Sequence, residues 1–333
     1  MSALDPVDRL RRLRTTSALR DLVADVNLNT HDLVAPLFVR EQIAEPQPIE
    51  SLPGVVQHTL DSLRREVAEL AELGVRAVVL FGVPASKDAV GSGAYDPDGI
   101  VQVALRALRS DVGDEIVLIA DLCVDEYTDH GHCGVLDAHG RVDNDATLEL
   151  YARAAVAQAD AGAHIVAPSG MMDGQVAAIR EALDRAGHQH PAILAYAAKY
   201  ASALYGPFRD AVDVEIADGG DRKGYQQDYR RRREAMVEIS RDLEQSADMI
   251  MVKPAVAYLD IIAAAHDRFE VPLAAYQVSG EYAMVHAAAE RGWIDGPAVM
   301  AEHLTAIKRA GADLILTYAA RSVAESLREG DRR

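Results

Sequence analysis

Cysteine is almost missing from this chain: its 333 residues include two, Cys123 and Cys133. Two thiols cannot build the disulfide framework of a small secreted domain, and a close pair in a reducing compartment points instead to metal binding or redox chemistry. Positive charge is also in short supply. The 34 Lys and Arg residues face 52 Asp and Glu, a formal net charge of -18, and so acidic a surface repels a phosphate backbone, which argues against a nucleic-acid partner. One basic cluster, Arg9 to Arg20, is interrupted by Leu10, Leu13 and Leu19 at the spacing of one helical face, the pattern of a solvated or partner-docking arm. Long apolar runs are lacking as well. None approaches the roughly 18 residues of a membrane span, and the start carries no apolar signal core. A cytoplasmic protein with no membrane partner is expected.

What the chain does have is apolar content, 49%, enough for a large core in one big α/β domain or two average ones. Eight short β-rich runs stand out: Leu33–Val39, Ala77–Gly82, Ile116–Leu122, His164–Ser169, Ala192–Ala197, Met249–Val252, Pro272–Val278 and Leu314–Tyr318. Most are near-continuous in Val, Ile, Leu and Ala, as strands buried on both faces require. Between them lie amphipathic stretches such as Thr59–Leu73, Ala146–Ala161, Gln175–Ala186, Arg232–Gln245, Val256–Asp267 and Ala298–Arg309. Several end at a glycine able to take the left-handed conformation that closes a helix, namely Gly74, Gly162, Gly187 and Gly311. Eight alternations of strand and helix predict a (β/α)8 barrel preceded by an N-terminal arm over residues 1–32, with the barrel domain over 33–333. A doubly wound open sheet is the alternative, weakened because no G-x-G-x-x-G follows the first strand.

In such a barrel the residues just past the carboxyl ends of the strands face the active site. In chain order these are Asp121 with Cys123, Ser169, Lys199, Lys253, Ser279 and Tyr318. Two long loops lie on the same side, one from Cys123 to about Asn144 and one from Tyr200 to about Tyr229, and long loops there often serve as lids. Lysine is scarce, five residues against 29 arginines, yet Lys199 and Lys253 both end strands. A single such lysine is equally well explained by snorkelling to water. Two on neighbouring strands repel each other and both lose hydration, so each effect depresses the amine pKa. Bringing an amine from about 10.4 to near 7 costs the ammonium form roughly 4 to 5 kcal/mol and yields the neutral nucleophile that carbonyl addition needs. Arginine cannot do this.

These residues sit in a set of motifs that resembles the porphobilinogen synthase (5-aminolevulinate dehydratase) family. From about Arg11 to Arg321 the likeness includes Asp121-Leu-Cys123, Tyr127-Thr-Asp-His-Gly-His-Cys-Gly134, Ala167-Pro-Ser-Gly-Met-Met-Asp-Gly174, Lys199-Tyr-Ala-Ser202, Tyr205-Gly-Pro-Phe-Arg-Asp210, Gly220-Asp-Arg-Lys223, Met251-Val-Lys-Pro254 and Tyr276-Gln-Val-Ser-Gly-Glu-Tyr282. Each piece is weak alone; their order and their coincidence with the strand ends make the set specific. The resemblance implies a lyase that joins two molecules of 5-aminolevulinate, with loss of two waters, into the pyrrole precursor of tetrapyrroles such as heme. Lys253 would form a Schiff base with the molecule that becomes the propionate side, and Lys199 would bind the carbonyl of the other. Asp121 and Ser169 would stand at the reacting centre. Arg209, Arg222 and Gln226 would hold one substrate carboxylate, Ser279 and Tyr318 the other, and Tyr205, Phe208 and Tyr276 would form water-excluding walls.

The resemblance also bears on metals and assembly. The family's zinc form has three cysteines in the loop where this chain has Cys123, Asp125 and Cys133, and its zinc-independent form has alanine and aspartates there. Two thiolates and a carboxylate can bind Zn²⁺ with an open position for substrate, His130 and His132 lending support from behind; the alternative is a loop with two free thiols. Glu238 matches a glutamate that binds an activating, allosteric Mg²⁺ in many members, and is otherwise an ordinary helical carboxylate. No organic cofactor is implied. Members are commonly homo-octamers whose N-terminal arm wraps a neighbouring barrel. Two other functions remain open: a Schiff-base aldolase, which would explain one lysine but not two, and a catalytically silent, metal-dependent binding barrel.

Overall fold

Apolar runs flanked by amphipathic segments can bury both faces of a parallel sheet only if helices cover the outside and the sheet closes on itself. The computed structural model of the chain, which describes residues 9–330, shows that solution. Eight strands run in parallel: β1 (Leu33–Arg40), β2 (Ala77–Val83), β3 (Val117–Leu122), β4 (Ile165–Pro168), β5 (Ala192–Lys199), β6 (Met249–Lys253), β7 (Leu273–Gln277) and β8 (Leu314–Thr317). Each pairs with the next, and β8 returns to β1 through Leu33 opposite Ile315 and Val34 opposite Leu316. The sheet is therefore a closed (β/α)8 barrel, and the open-sheet alternative falls. A short antiparallel pair, Gln47–Pro48 with Val56–His58, is added beside β1.

The helices are α1 (Ser17–Leu22), α2 (Leu60–Glu72), α3 (Ile100–Val112), α4 (Asn144–Asp160), α5 (Gln175–Arg185), α6 (Gly206–Ala211), α7 (Arg232–Glu244), α8 (Leu259–Arg268), α9 (Ser279–Glu290), α10 (Gly296–Arg309) and α11 (Ala320–Gly330). Local chemistry sets several of their ends. Thr59, Asp143 and Asp295 accept hydrogen bonds from the backbone N–H of Ser62, Ala146 and Ala298, satisfying donors that the first turn of a helix leaves free. Gly74, Gly162, Gly187 and Gly311 follow α2, α4, α5 and α10 with positive φ, as their sequence positions predict. α2 shows how the helices dock: Leu63, Val67 and Leu70 form one buried stripe, each side chain contributing roughly 1.5 to 3 kcal/mol by leaving water.

Between residues 9 and 32 the chain forms a 3-10 turn at Leu10–Arg14 and α1, neither of which buries a residue, and a second 3-10 turn at Thr30–Asp32 that buries Asp32. Residues 1–8 of the expected arm and 331–333 of the expected barrel domain lie outside the described residues. None of the described helices is long and apolar enough to cross a membrane. On the carboxyl side of the strands, the two long loops occur where the sequence places them: one between β3 and α4, the other between β5 and α7 with α6 inside it. They are stitched to the framework by isolated bridges, Thr128 to Asp88 and Gln227 to Tyr200.

Candidate active site

Strand register brings the two lysines together. Lys199 ends β5, Lys253 ends β6, and the two are direct partners across the parallel pair. Both are buried, 5% exposed each. The Lys253 ammonium nitrogen lies 4.2 Å from the centre of the Tyr276 ring, 5.1 Å from Phe208, 5.2 Å from Tyr196 and 5.4 Å from Tyr205. Aromatic faces attract a cation, but they do not replace its hydration. Burial first, then the neighbouring Lys199 charge, pushes the Lys253 amine down to about 7, against the opposing pull of Asp121, Asp125 and Glu126. Lys199 is anchored differently, its Nζ donating to the Ser169 carbonyl at 2.5 Å.

Asp121, at the end of β3, completes the centre. Burial raises its carboxyl to about 6, with Lys199 and Lys253 opposing. Its Oδ2 accepts from the Ser169 hydroxyl at 2.9 Å, and Gln158 donates to its backbone carbonyl at 2.8 Å. Its Oδ1 is buried without a hydrogen-bond partner, as is the Tyr196 hydroxyl, although the two groups lie close enough for each to perturb the other's titration. Tyr196 was not expected here. A register shift between Ala195 and Ala198 interrupts the in-out alternation of β5, so that Tyr196 and Lys199, three apart, both face the site. Sequence alternation alone gives no sign of that shift.

The residues expected to hold the substrate carboxylates are spread over the long loops and the barrel wall. Arg222 is buried and donates through Nη2 to Asp125 at 2.7 Å and to the Gly131 carbonyl at 2.8 Å. Its Nε and the Nε2 of buried Gln226 have no partner and remain as donors for an anion. Arg209, on α6, is half-buried, and desolvation and the nearby Arg222 charge depress its pKa. On the opposite wall the Tyr276 and Tyr318 hydroxyls are 3.0 Å apart. Ser279 opens α9, and its hydroxyl accepts from the Phe208 N–H at 3.0 Å and donates to the Leu204 carbonyl at 3.3 Å. Tyr205 donates to the Tyr200 carbonyl at 2.7 Å, and Phe208 packs edge-on against Phe81, ring centres 5.0 Å apart.

The cysteine loop folds over the same centre. One ligand atom from each of Cys123, Asp125 and Cys133 lies within 4.8 Å of the others, all three residues buried. Burial would raise the Asp125 pKa, but Arg222 and Lys199 hold it well below the ordinary carboxylate range. Burial and the hydrogen bond shared with Cys133 push the Cys123 thiol up; Cys133 falls because that bond and the Arg222 charge outweigh its own burial. Two thiols and a carboxylate this close suit a borderline-soft cation such as Zn²⁺. His130 and His132 are not in the cluster. His130 Nδ1 accepts from the His132 N–H at 3.1 Å, and His132 Nδ1 contacts the Tyr225 hydroxyl at 3.1 Å, so both brace the loop. Tyr151, absent from the expected set, donates to the Cys133 carbonyl at 2.7 Å. Glu238 lies apart, on α7, where Asp173 and Glu234 add to the burial that raises its pKa. With those two it lines a surface cavity of about 850 Å³ that reaches Tyr225 and Gln226.

Two buried amines abreast at the carboxyl ends of neighbouring barrel strands, backed by a carboxyl group and walled by aromatic rings, are an arrangement suited to a (β/α)8 enzyme that works on carbonyl compounds. The sequence profile described as delta-aminolevulinic acid dehydratase matches residues 7–326. Delta-aminolevulinic acid dehydratase of Streptomyces coelicolor is 59% identical over 325 residues, 97% of this chain and 98% of that protein. The Mycobacterium tuberculosis protein of the same name is 60% identical over 315 residues, 94% and 95% of the two chains. The crystal structure of delta-aminolevulinic acid dehydratase (porphobilinogen synthase) from Toxoplasma gondii, in complex with the product porphobilinogen, superposes with a TM-score of 0.94 at 41% identity, covering 97% of this chain and 92% of that one. The chain belongs to the delta-aminolevulinic acid dehydratase family.

Proposed function

We propose that the paired lysines perform the reaction of the family: two molecules of 5-aminolevulinate condense asymmetrically to porphobilinogen with loss of two waters, a hydro-lyase step in tetrapyrrole and heme biosynthesis. The observation that carries this reading is the register pairing of Lys199 with Lys253, which sets two buried amines side by side. An aldolase needs only one. Neutral Lys253 attacks the ketone of the first substrate; the carbinolamine hydroxyl takes a proton from a neighbouring acid and leaves as water, and the protonated imine that remains acidifies the adjacent carbon. Lys199 binds the carbonyl of the second molecule. Asp121, with Ser169 hydrogen-bonded to it, is the group placed to move protons between these centres.

The free Nε of Arg222 and Nε2 of Gln226, with Arg209, are assigned to one substrate carboxylate. Ser279 and Tyr318 are assigned to the other, and Tyr205, Phe208 and Tyr276 exclude water around the Lys253 imine. Cys123, Asp125 and Cys133 are assigned to Zn²⁺, which would supply a Lewis acid at the barrel mouth when bound. Arg222 then serves to fix the orientation of Asp125. Glu238, beside Asp173 and Glu234, is assigned to an allosteric Mg²⁺. The strongly exposed Leu10, Leu13 and Leu22 support an arm that docks on a neighbouring copy, as in a homo-octamer, and the acidic composition fits a cytoplasmic enzyme.

Borohydride reduction in the presence of 5-aminolevulinate, followed by peptide mapping, tests the assignment. Capture at Lys253 is expected, with none in Lys253→Ala or Lys253→Arg. Normal turnover with capture at Lys199 alone would refute it.

A further inference from the structure

Lys87 plays no part in the chemistry above, yet it is one of five lysines in the chain and half-buried in the loop after β2. Its Nζ donates to the Asp213 carbonyl at 2.7 Å and to the Val212 carbonyl at 3.2 Å. These two residues directly follow α6, the six-residue helix that carries Phe208 and Arg209, with Val212 as its cap. A helix that short has no stability of its own, and its last carbonyls need outside donors. They receive them from the barrel framework. Gln57 donates to the Ala211 carbonyl at 2.8 Å, and Arg40, at the end of β1, pairs with Asp213 while donating to Gln57 at 2.8 Å. Asp213 itself is held in the left-handed region, φ 50°. At the other end Ser279 holds the Phe208 N–H. The loop bearing Lys87 is firmly placed too, because Asp88 exchanges backbone hydrogen bonds with Tyr127 and Asp129 of the cysteine loop, both at 3.1 Å.

We propose that Lys87 is a positioning residue for substrate carboxylate binding: it clamps the carboxyl end of α6 and so aims Arg209 into the site. A compact ammonium with three donors can serve two consecutive carbonyls, which a planar guanidinium fits less well. Releasing the clamp lets α6 shift, and a displacement of about 1 Å at a binding group can cost on the order of 10²-fold in rate. The inference rests on Arg209 being a carboxylate donor, so the experiment separates the two. KM for 5-aminolevulinate, kcat and borohydride capture at Lys253 are measured for Lys87→Met, Lys87→Arg, Arg209→Ala and the Lys87→Met/Arg209→Ala pair.

The expected result is a KM raised about tenfold in Lys87→Met, with capture at Lys253 retained, partial rescue in Lys87→Arg, and no further KM increase when Arg209 is already gone. A native KM in Lys87→Met, while Arg209→Ala raises it, overturns the clamp and leaves the Arg209 assignment standing. A native KM in Arg209→Ala overturns that assignment instead. Additive effects in the pair, or loss of capture in step with the KM rise, would show a general structural role and also overturn the clamp. Should Lys87→Met not fold, Gln57→Leu decides, because it removes the donor to the Ala211 carbonyl and the acceptor for Arg40 while leaving Lys87 in place, and it is expected to raise KM in the same direction.

Discussion

An amine that must be neutral to react is an unfavourable thing to bury as a cation, and Lys253 shows the cost and the use of that arrangement together. Its pKa near 7 lies far below the roughly 10.4 of a solvated lysine. Capture of substrate at Lys253 should therefore quicken as pH rises through about 7 and level off above it, measured by the initial rate of borohydride trapping. Stability carries the same signature. Between pH 7 and 10 the unfolded chain binds a proton here that the folded chain does not, so this group's contribution to stability rises with pH across that window, and its penalty is complete below 7. Lys253→Met is thus expected to be inactive but more stable than the native protein by about 1 to 3 kcal/mol at pH 6, the difference shrinking toward pH 10. A variant no more stable than native in urea unfolding at pH 6 would show that the surrounding carboxylates already compensate the charge. Asp121 is separable from this: Asp121→Asn should keep capture at Lys253 while turnover falls by about 10² to 10⁴, read by comparing trapping with product formation.

At the scale of elements, the eight strands were legible because burial on both faces leaves almost no polar interruptions, and the strand ends were legible because Asp121, Ser169, Lys199 and Lys253 break those runs abruptly. Helix ends at Gly74, Gly162, Gly187 and Gly311 followed from backbone chemistry. What pattern could not reveal depends on partners distant in sequence. α6 is too short for a periodic signal, and it exists through Gln57, Lys87 and Ser279. The inward turn of Tyr196 depends on a local register shift, and the bracing of the cysteine loop by Tyr151 comes from a helix that the motif does not contain. That brace has a strict steric requirement. A Cβ at Gly170 would lie 1.6 Å from the Tyr151 hydroxyl, and Tyr151 is fully buried with nowhere to move. Gly170→Ala is expected to destabilise the protein by about 1 to 3 kcal/mol or more, seen as a lower thermal midpoint. Tyr151→Phe in the same chain should recover part of the loss, since it removes the nearest clashing atom; no recovery would place the strain elsewhere.

Across the whole molecule the two cation assignments differ in chemistry and in place. Cys123, Asp125 and Cys133 present two soft donors inside the barrel mouth, whereas Glu234 and Glu238 on α7 and Asp173 in the turn before α5 present hard oxygens to one surface cavity, a division that suits Zn²⁺ to the first and Mg²⁺ to the second. They are not isolated from each other. The cavity lined by Glu238 also reaches Tyr225, whose hydroxyl accepts from the Cys133 N–H at 3.4 Å. Substituting Cys133 by alanine removes a thiolate but leaves that backbone contact in place, so the variant isolates zinc binding from the path between the sites. After chelation, the native protein should regain activity with Zn²⁺ and gain further with Mg²⁺. Cys133→Ala should lose the Zn²⁺ response and bind less zinc at equilibrium, yet keep its proportional response to Mg²⁺. If the Mg²⁺ response disappears together with the Zn²⁺ response, the two ions act through one site, and the outer carboxylates are a solvated helix face.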